Sequence, residues 1–178
     1  MSVKYVPEAV FKTRFGDEEP EDGGCPIGGE WRDLTTAELF EGKKVVVFSL
    51  PGAFTPTCSS NQVPGYDSMY DEFKSAGIDD IYCVSVNDSF TMNAWFEHLG
   101  VKNVKPIPDG SGIFTLGMDM LVSKDNLGFG QRSWRYAAVV NDGEVEKMFE
   151  EPGKENNCPT DPYGESSPEN VMAYLTGE

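Results

Sequence analysis

The run Lys43-Lys44-Val45-Val46-Val47-Phe48-Ser49-Leu50 limits what this chain can become more than any other stretch. It has strand length and no polar alternation, the pattern of a strand buried on both faces of a sheet, so a layer of other structure must cover each side. "DIYCVSV" (80–86) repeats that character, and "VKPI" (104–107) is a third strand candidate. Between these runs the period changes. Tyr66, Met69, Tyr70 and Phe73 recur at helical spacing, with Gly77 as a stop and Pro64 as a kink or a break after the first turn. Met92, Trp95, Phe96 and Leu99 do the same, with Asp88 or Ser89 as cap and Gly100 beyond the end. A short helix "GIFTLGM", a hairpin turning at Asn141-Asp142-Gly143 and a last helix opened by Ser167-Pro168 complete the order. Strands alternating with helices imply an α/β fold: a central mixed sheet flanked by helices on both sides.

A chain of 178 residues, 39% of them apolar, has enough material for one core, so residues 1–178 read as a single domain. Residues 1–30 read as an extended N-terminal segment, with a strand at Val10–Arg14; "LTTAELFEGK" after it predicts a short helix capped by Thr35 or Thr36. No apolar run approaches the roughly 20 residues that cross a bilayer, and the N-terminus lacks a signal-peptide pattern, so the expected location is cytoplasmic. The net charge of −16 argues against nucleic acid and anionic membranes as partners, since phosphate binding needs a basic patch. Cys25, Cys58, Cys83 and Cys158 include no CxxC pair, and His98 is the one histidine, so zinc-ligand spacing is absent and neither metal nor cofactor is expected. Free-thiol chemistry fits better than structural disulfides in a chain with a core of this size.

"PGAFTPTC" (51–58) follows the first buried strand directly. In open α/β sheets reactive groups gather beyond the carboxyl ends of the strands, where a helix presents its N-terminus. With Thr55 as cap and Pro56 at the first helical position, Cys58 falls in the first turn, beside unpaired N–H groups and the positive end of the dipole, an environment that favours a thiolate. Pro51 and Pro56 stiffen the approach and Gly52 permits a tight turn.

"PGAFTPTCS" resembles the active-site signature of the peroxiredoxins, and "CVSVND" and "GFGQRSWRYAAVVNDG" extend the likeness to their type II, or type V, subgroup from about Asp33 to the C-terminus. The resemblance implies a thioredoxin-like three-layer sandwich and a peroxidase acting on hydrogen peroxide and small alkyl hydroperoxides. It also implies roles: Cys58 the nucleophile that becomes a sulfenic acid, Thr55 a hydroxyl beside the sulfur, Pro51 a shield from water. Arg132 is similar to the family's active-site arginine; by strand alternation Arg132 and Arg135, three residues apart, must point to opposite faces, so only one can enter the pocket, and Arg132 is taken as that one.

Recycling needs a second thiol. Cys83 matches a resolving position proposed in plant members, and Cys158 falls close to that of animal members. An external thiol ranks ahead of both: glutathione or glutaredoxin, which similar bacterial enzymes with this "NCPTDP" tail suggest, or else thioredoxin. A homodimer formed through loops near the site is also implied by the family. A peroxide-sensing relay and a thiol-disulfide oxidoreductase are the competing readings; the missing CxxC weighs against the latter.

Overall fold

The structure, a computed structural model, describes residues 2–18 and 20–178. β1 (Val10–Phe15) pairs antiparallel with β2 (Glu30–Thr35), forming a small sheet of their own. The N-terminal segment is therefore less extended than its composition suggests, and β2 escapes a periodicity reading because "EWRDLT" buries almost nothing. Helix α1 (Thr36–Phe40) starts as expected: Thr35 caps it, and Glu38 reaches back to close a capping box.

β3 (Lys44–Ser49) is the uninterrupted apolar run, and it is central. A π-helical turn (58–62) then leads into α2 (Val63–Ser68) and α3 (Tyr70–Ser75), with a break at Met69. Pro64 explains the wide turn. It has no N–H to give the carbonyl four residues back and its ring crowds that carbonyl, so the helix loosens ahead of it, and Val63 N–H bonds Cys58 O at the longer spacing. β4 (Asp80–Ser85) and α4 (Ser89–Leu99) follow, the helix capped by Asp88 and ended by left-handed Gly100. Then come β5 (Lys105–Pro108), α5 (Ile113–Gly117), the short pair β6 (Leu121–Ser123) and β7 (Gln131–Ser133), β8 (Tyr136–Asn141), β9 (Glu144–Glu150) and α6 (Pro168–Thr176). The β8–β9 turn has Asp142 at φ 49° and Gly143 at φ 79°, the two left-handed residues that a tight hairpin requires.

The main sheet has the order β5-β4-β3-β8-β9, with β3, β4 and β5 parallel and β8 antiparallel to β3. Side-chain alternation sorts the core into two layers. Val46, Phe48, Ile81, Cys83, Ala137 and Val139 face α2, α3, α4 and α6; Val45, Val47, Tyr82, Val84, Ala138 and Val140 face α1, α5 and β1. Each fully buried Val or Phe contributes about 1.5–3 kcal/mol, which is why β3, covered on both sides, anchors the fold. One register pair then sets the site. Ser49 at the carboxyl end of β3 lies opposite Tyr136 at the start of β8, so the residues preceding Tyr136 come to the edge where residue 51 begins.

Candidate active site

Cys58 sits at the head of the π turn with only 1% of its surface exposed, packed in the same layer as Phe48, Leu50, Tyr66 and Trp95. Helical geometry begins at Pro56, and Ser59 N–H bonds the Thr55 carbonyl at 3.0 Å. The Thr55 hydroxyl does not cap that turn; it donates to the Gly52 carbonyl at 2.7 Å and tightens the loop over the sulfur. Pro51 is buried, and Phe54 holds a left-handed φ of 62° with its ring exposed against His98. Such backbone strain in a non-glycine residue costs about 1–3 kcal/mol and collects at functional sites. The turn is clamped from two neighbours: Ala53 N–H donates to Asn87 Oδ1 at 3.0 Å, and Trp95 Nε1 donates to Ser59 Oγ at 2.9 Å.

The guanidinium against the sulfur belongs to Arg135, not Arg132. Arg135 Nη1 donates to Cys58 Sγ at 3.5 Å and to Gln62 Oε1, while Nη2 donates to Asp161 Oδ1 at 2.7 Å and Oδ2 at 2.9 Å. The residue is 1% exposed, and the Tyr163 ring lies 5.6 Å from its Cζ. Burial by itself would make this guanidinium easier to deprotonate, yet the sulfur and Asp161 together hold its pKa above the usual arginine value.

Strand alternation in the sequence points to Arg132 at this place, and the structure differs. Arg132 lies on β7, opposite Val122 of β6, in a separate sheet, so alternation cannot relate it to Arg135. Arg135 directly precedes β8 and shares the parity of Ala137 and Val139, which face the Cys58 layer. Arg132 instead rests on the outside of the same loop: its Nη1 stands 2.6 Å from where a Cβ on Gly52 would be, and its Nε donates to Phe129 O at 3.2 Å. Burial lowers its pKa, and among the described residues it has no carboxylate within ion-pair distance.

The remaining cysteines occupy very different places, and all are free thiols. Cys83 is fully buried in β4, opposite Phe48 and in the Cys58 layer; burial, helped by the charge at Cys58, pushes its pKa well up. Cys158 is buried in the other layer, beyond the sheet from Cys58, with its sulfur 3.5 Å from the Thr160 hydroxyl. Cys25 is exposed in the loop between β1 and β2.

Sequence reasoning also missed Gln62, Asp161 and Tyr163. Gln62 could have been found, being one helical turn after Cys58 on the same face. The other two come from a segment without periodicity that only the fold brings back.

The Redoxin family model matches residues 27–164. A protein from Rhizobium etli named peroxiredoxin is 60% identical over 172 residues, 97% of this chain and 94% of the relative. Among solved structures, the Plasmodium falciparum antioxidant protein, described as a 1-Cys peroxiredoxin, superposes with a TM-score of 0.88 at 39% identity and covers 98% of each chain. Reduced Prx3 of Vibrio vulnificus in complex with hydrogen peroxide gives 0.82 at 32% identity, covering 99% of this chain and 97% of that one.

Proposed function

This chain belongs to the peroxiredoxins, thiol peroxidases of the redoxin family, and from that footing we propose that Cys58 is its peroxidatic sulfur and Arg135 the cation that assists it. The observation that carries the assignment is the Arg135 Nη1 contact with Cys58 Sγ, made between two buried side chains. A guanidinium placed there stabilises both the sulfur anion and the charge that passes to oxygen as the O–O bond breaks.

The Cys58 thiolate attacks the terminal oxygen of ROOH, an S–O bond forms and the O–O bond breaks, giving Cys58–SOH and RO⁻, which takes up the proton the thiol had released. Sulfur is oxidised and the peroxide reduced to water or an alcohol. Because the Thr55 hydroxyl spends its hydrogen on the Gly52 carbonyl, its lone pairs remain to accept the hydroperoxide O–H. Pro51, buried at the start of the same loop, would shield the sulfur from water.

The reductant is an external thiol: glutathione with glutaredoxin, or thioredoxin. Cys83 is a weak candidate for resolution, since a thiol kept protonated by burial is a poor nucleophile. Cys158 is packed on the far layer of the sheet, and a bridge requires Cα atoms within about 7 Å. The Plasmodium relative's description as a 1-Cys enzyme supports the same reading. Our reading places the protein in the cytoplasm as a homodimer, in which Phe54 offers a second copy an exposed ring beside the site. Separately, no helix among the described residues is long and apolar enough to cross a membrane.

Turnover of hydrogen peroxide with glutathione–glutaredoxin, thioredoxin and dithiothreitol, in wild type and Cys58→Ser, tests this reading. The serine variant should be inactive with every donor. Rapid formation of a Cys58–Cys158 or Cys58–Cys83 bridge with no added thiol, read by peptide mass spectrometry, would overturn the external-donor assignment.

A further inference from the structure

Arg135 has more partners than a cation facing one thiol requires. Its Nη1 serves Cys58 and Gln62, and its Nη2 is straddled by both oxygens of Asp161, a residue 26 positions later in the irregular segment between β9 and α6. Nε has no hydrogen-bond partner, so the guanidinium's orientation rests on these contacts and on the Tyr163 ring. A planar fork gripped at one nitrogen by a carboxylate and at the other by an amide cannot rotate about its last bond. Its free edge then stays aimed at the sulfur.

The segment that supplies Asp161 is itself fixed at both ends. Asn157 N–H donates to Ser123 O at 2.7 Å, and Ser123 N–H donates to Asn156 Oδ1 at 2.8 Å. Beyond Asp161, the buried Glu151 carboxylate accepts from the backbone N–H groups of Gly164 at 2.6 Å and Ser166 at 3.0 Å. Asp161 is 47% exposed, and Arg135 is its ion-pair partner among the described residues. An exposed carboxylate on a tethered segment, reaching into the pocket only to hold a buried cation, is placed to control that cation's aim.

We propose that Asp161 is a positioning residue for peroxide reduction: by fixing Nη2 of Arg135 it keeps Nη1 directed at the Cys58 sulfur and at the hydroperoxide oxygens that approach it. The inference rests on the assignment of Cys58 and Arg135 above and adds to it a part played by the C-terminal segment.

A double-mutant cycle on the second-order rate of Cys58 oxidation, followed by stopped-flow tryptophan fluorescence, tests the proposal. Asp161→Asn should slow the reaction roughly 10- to 100-fold, the range seen when a group that orients a reactive one is removed, and Asp161→Glu should recover part of the loss. The factor should be the same for hydrogen peroxide and tert-butyl hydroperoxide, because Arg135 addresses the O–O unit that both share. In an Arg135→Gln background, measured at higher peroxide, Asp161→Asn should have almost no further effect. Asp161→Ser runs alongside, so that the cycle closes even if one replacement does not fold. Equal slowing by Asp161→Asn with and without Arg135, or no slowing in the wild-type background, would overturn the role of Asp161. Wild-type Cys58 left untouched by peroxide would instead overturn the site assignment on which the inference rests.

Discussion

Replacing Glu151 with alanine should cost this protein a large part of its stability, and the amount follows from the contacts of one side chain. Glu151 is 1% exposed and has no basic partner among the described residues. Its carboxylate accepts from Gly164 N at 2.6 Å, Glu165 N at 3.2 Å, Ser166 N at 3.0 Å and Ser166 Oγ at 3.1 Å, so consecutive backbone amides form a nest around it. A hydrogen bond to a charged group is worth about 1.5–3 kcal/mol, and buried donors left without a partner add their desolvation cost. The bonds are not additive and the loop will relax toward water, so Glu151→Ala should cost about 3–5 kcal/mol. Glu151→Gln keeps one acceptor oxygen and turns an amide toward a backbone N–H, which should cost about 1–2 kcal/mol. In a domain of this size each kcal/mol moves the melting midpoint by about 2–4 °C, so the alanine variant should melt roughly 10 °C lower. Circular dichroism melts of both variants measure this. An alanine variant that melts within ~2 °C of wild type, or below which the glutamine variant falls, would refute the reasoning.

Arg135→Gln should slow Cys58 oxidation by roughly 10²–10³, as removal of a donor to developing charge does, whereas Arg132→Gln should cost less than about tenfold; stopped-flow kinetics of the two variants decide which arginine serves the sulfur. Alkaline pH should destabilise the fold. Burial raises the pKa values of Cys83, Tyr66, Tyr82 and Tyr136, so between the unfolded and folded values the native state binds more protons, and stability is lost as pH rises. Each such group adds a slope of about 1.4 kcal/mol per pH unit, starting near 9 for the thiol and 10 for the tyrosines, and a urea midpoint unchanged between pH 7 and 10.5 would contradict it. Gly52→Ala should be tolerated, because the Arg132 Nη1 that lies 2.6 Å from the new Cβ ends a flexible side chain that can swing aside; kcat/KM for hydrogen peroxide should fall by less than about tenfold, in line with Arg132→Gln, and a larger loss would show that the guanidinium is held rigidly over the turn.

Strong periodicity made much of this fold legible. β3 and β4 are readable because burial on both faces demands apolar side chains at every position, and α4 because its cap, its apolar stripe and Gly100 all agree. β2 was not, since an exposed strand in a two-stranded sheet carries no apolar signal, and β6 and β7 span three residues each. The arginine is the instructive miss. Alternation is a valid argument only within one strand; the apolar run "AAVV" extends back to Tyr136, which leaves Arg135 adjacent to β8 and Arg132 outside it. The register Ser49 opposite Tyr136 then carries Arg135 to Cys58, information that neither segment holds alone. Asp161 and Glu151 meet their partners through a loop whose course depends on the completed sheet, so these contacts are visible only in three dimensions.

The most direct test of the site is to treat the fully reduced protein with less than one equivalent of hydrogen peroxide in the presence of dimedone and map the adduct by peptide mass spectrometry. The label should appear on Cys58 and on no other cysteine, and should form roughly 10²–10³ times more slowly in Arg135→Gln. Peroxide consumed with the label on Cys25, Cys83 or Cys158 and Cys58 unmodified would contradict the assignment of the reacting sulfur.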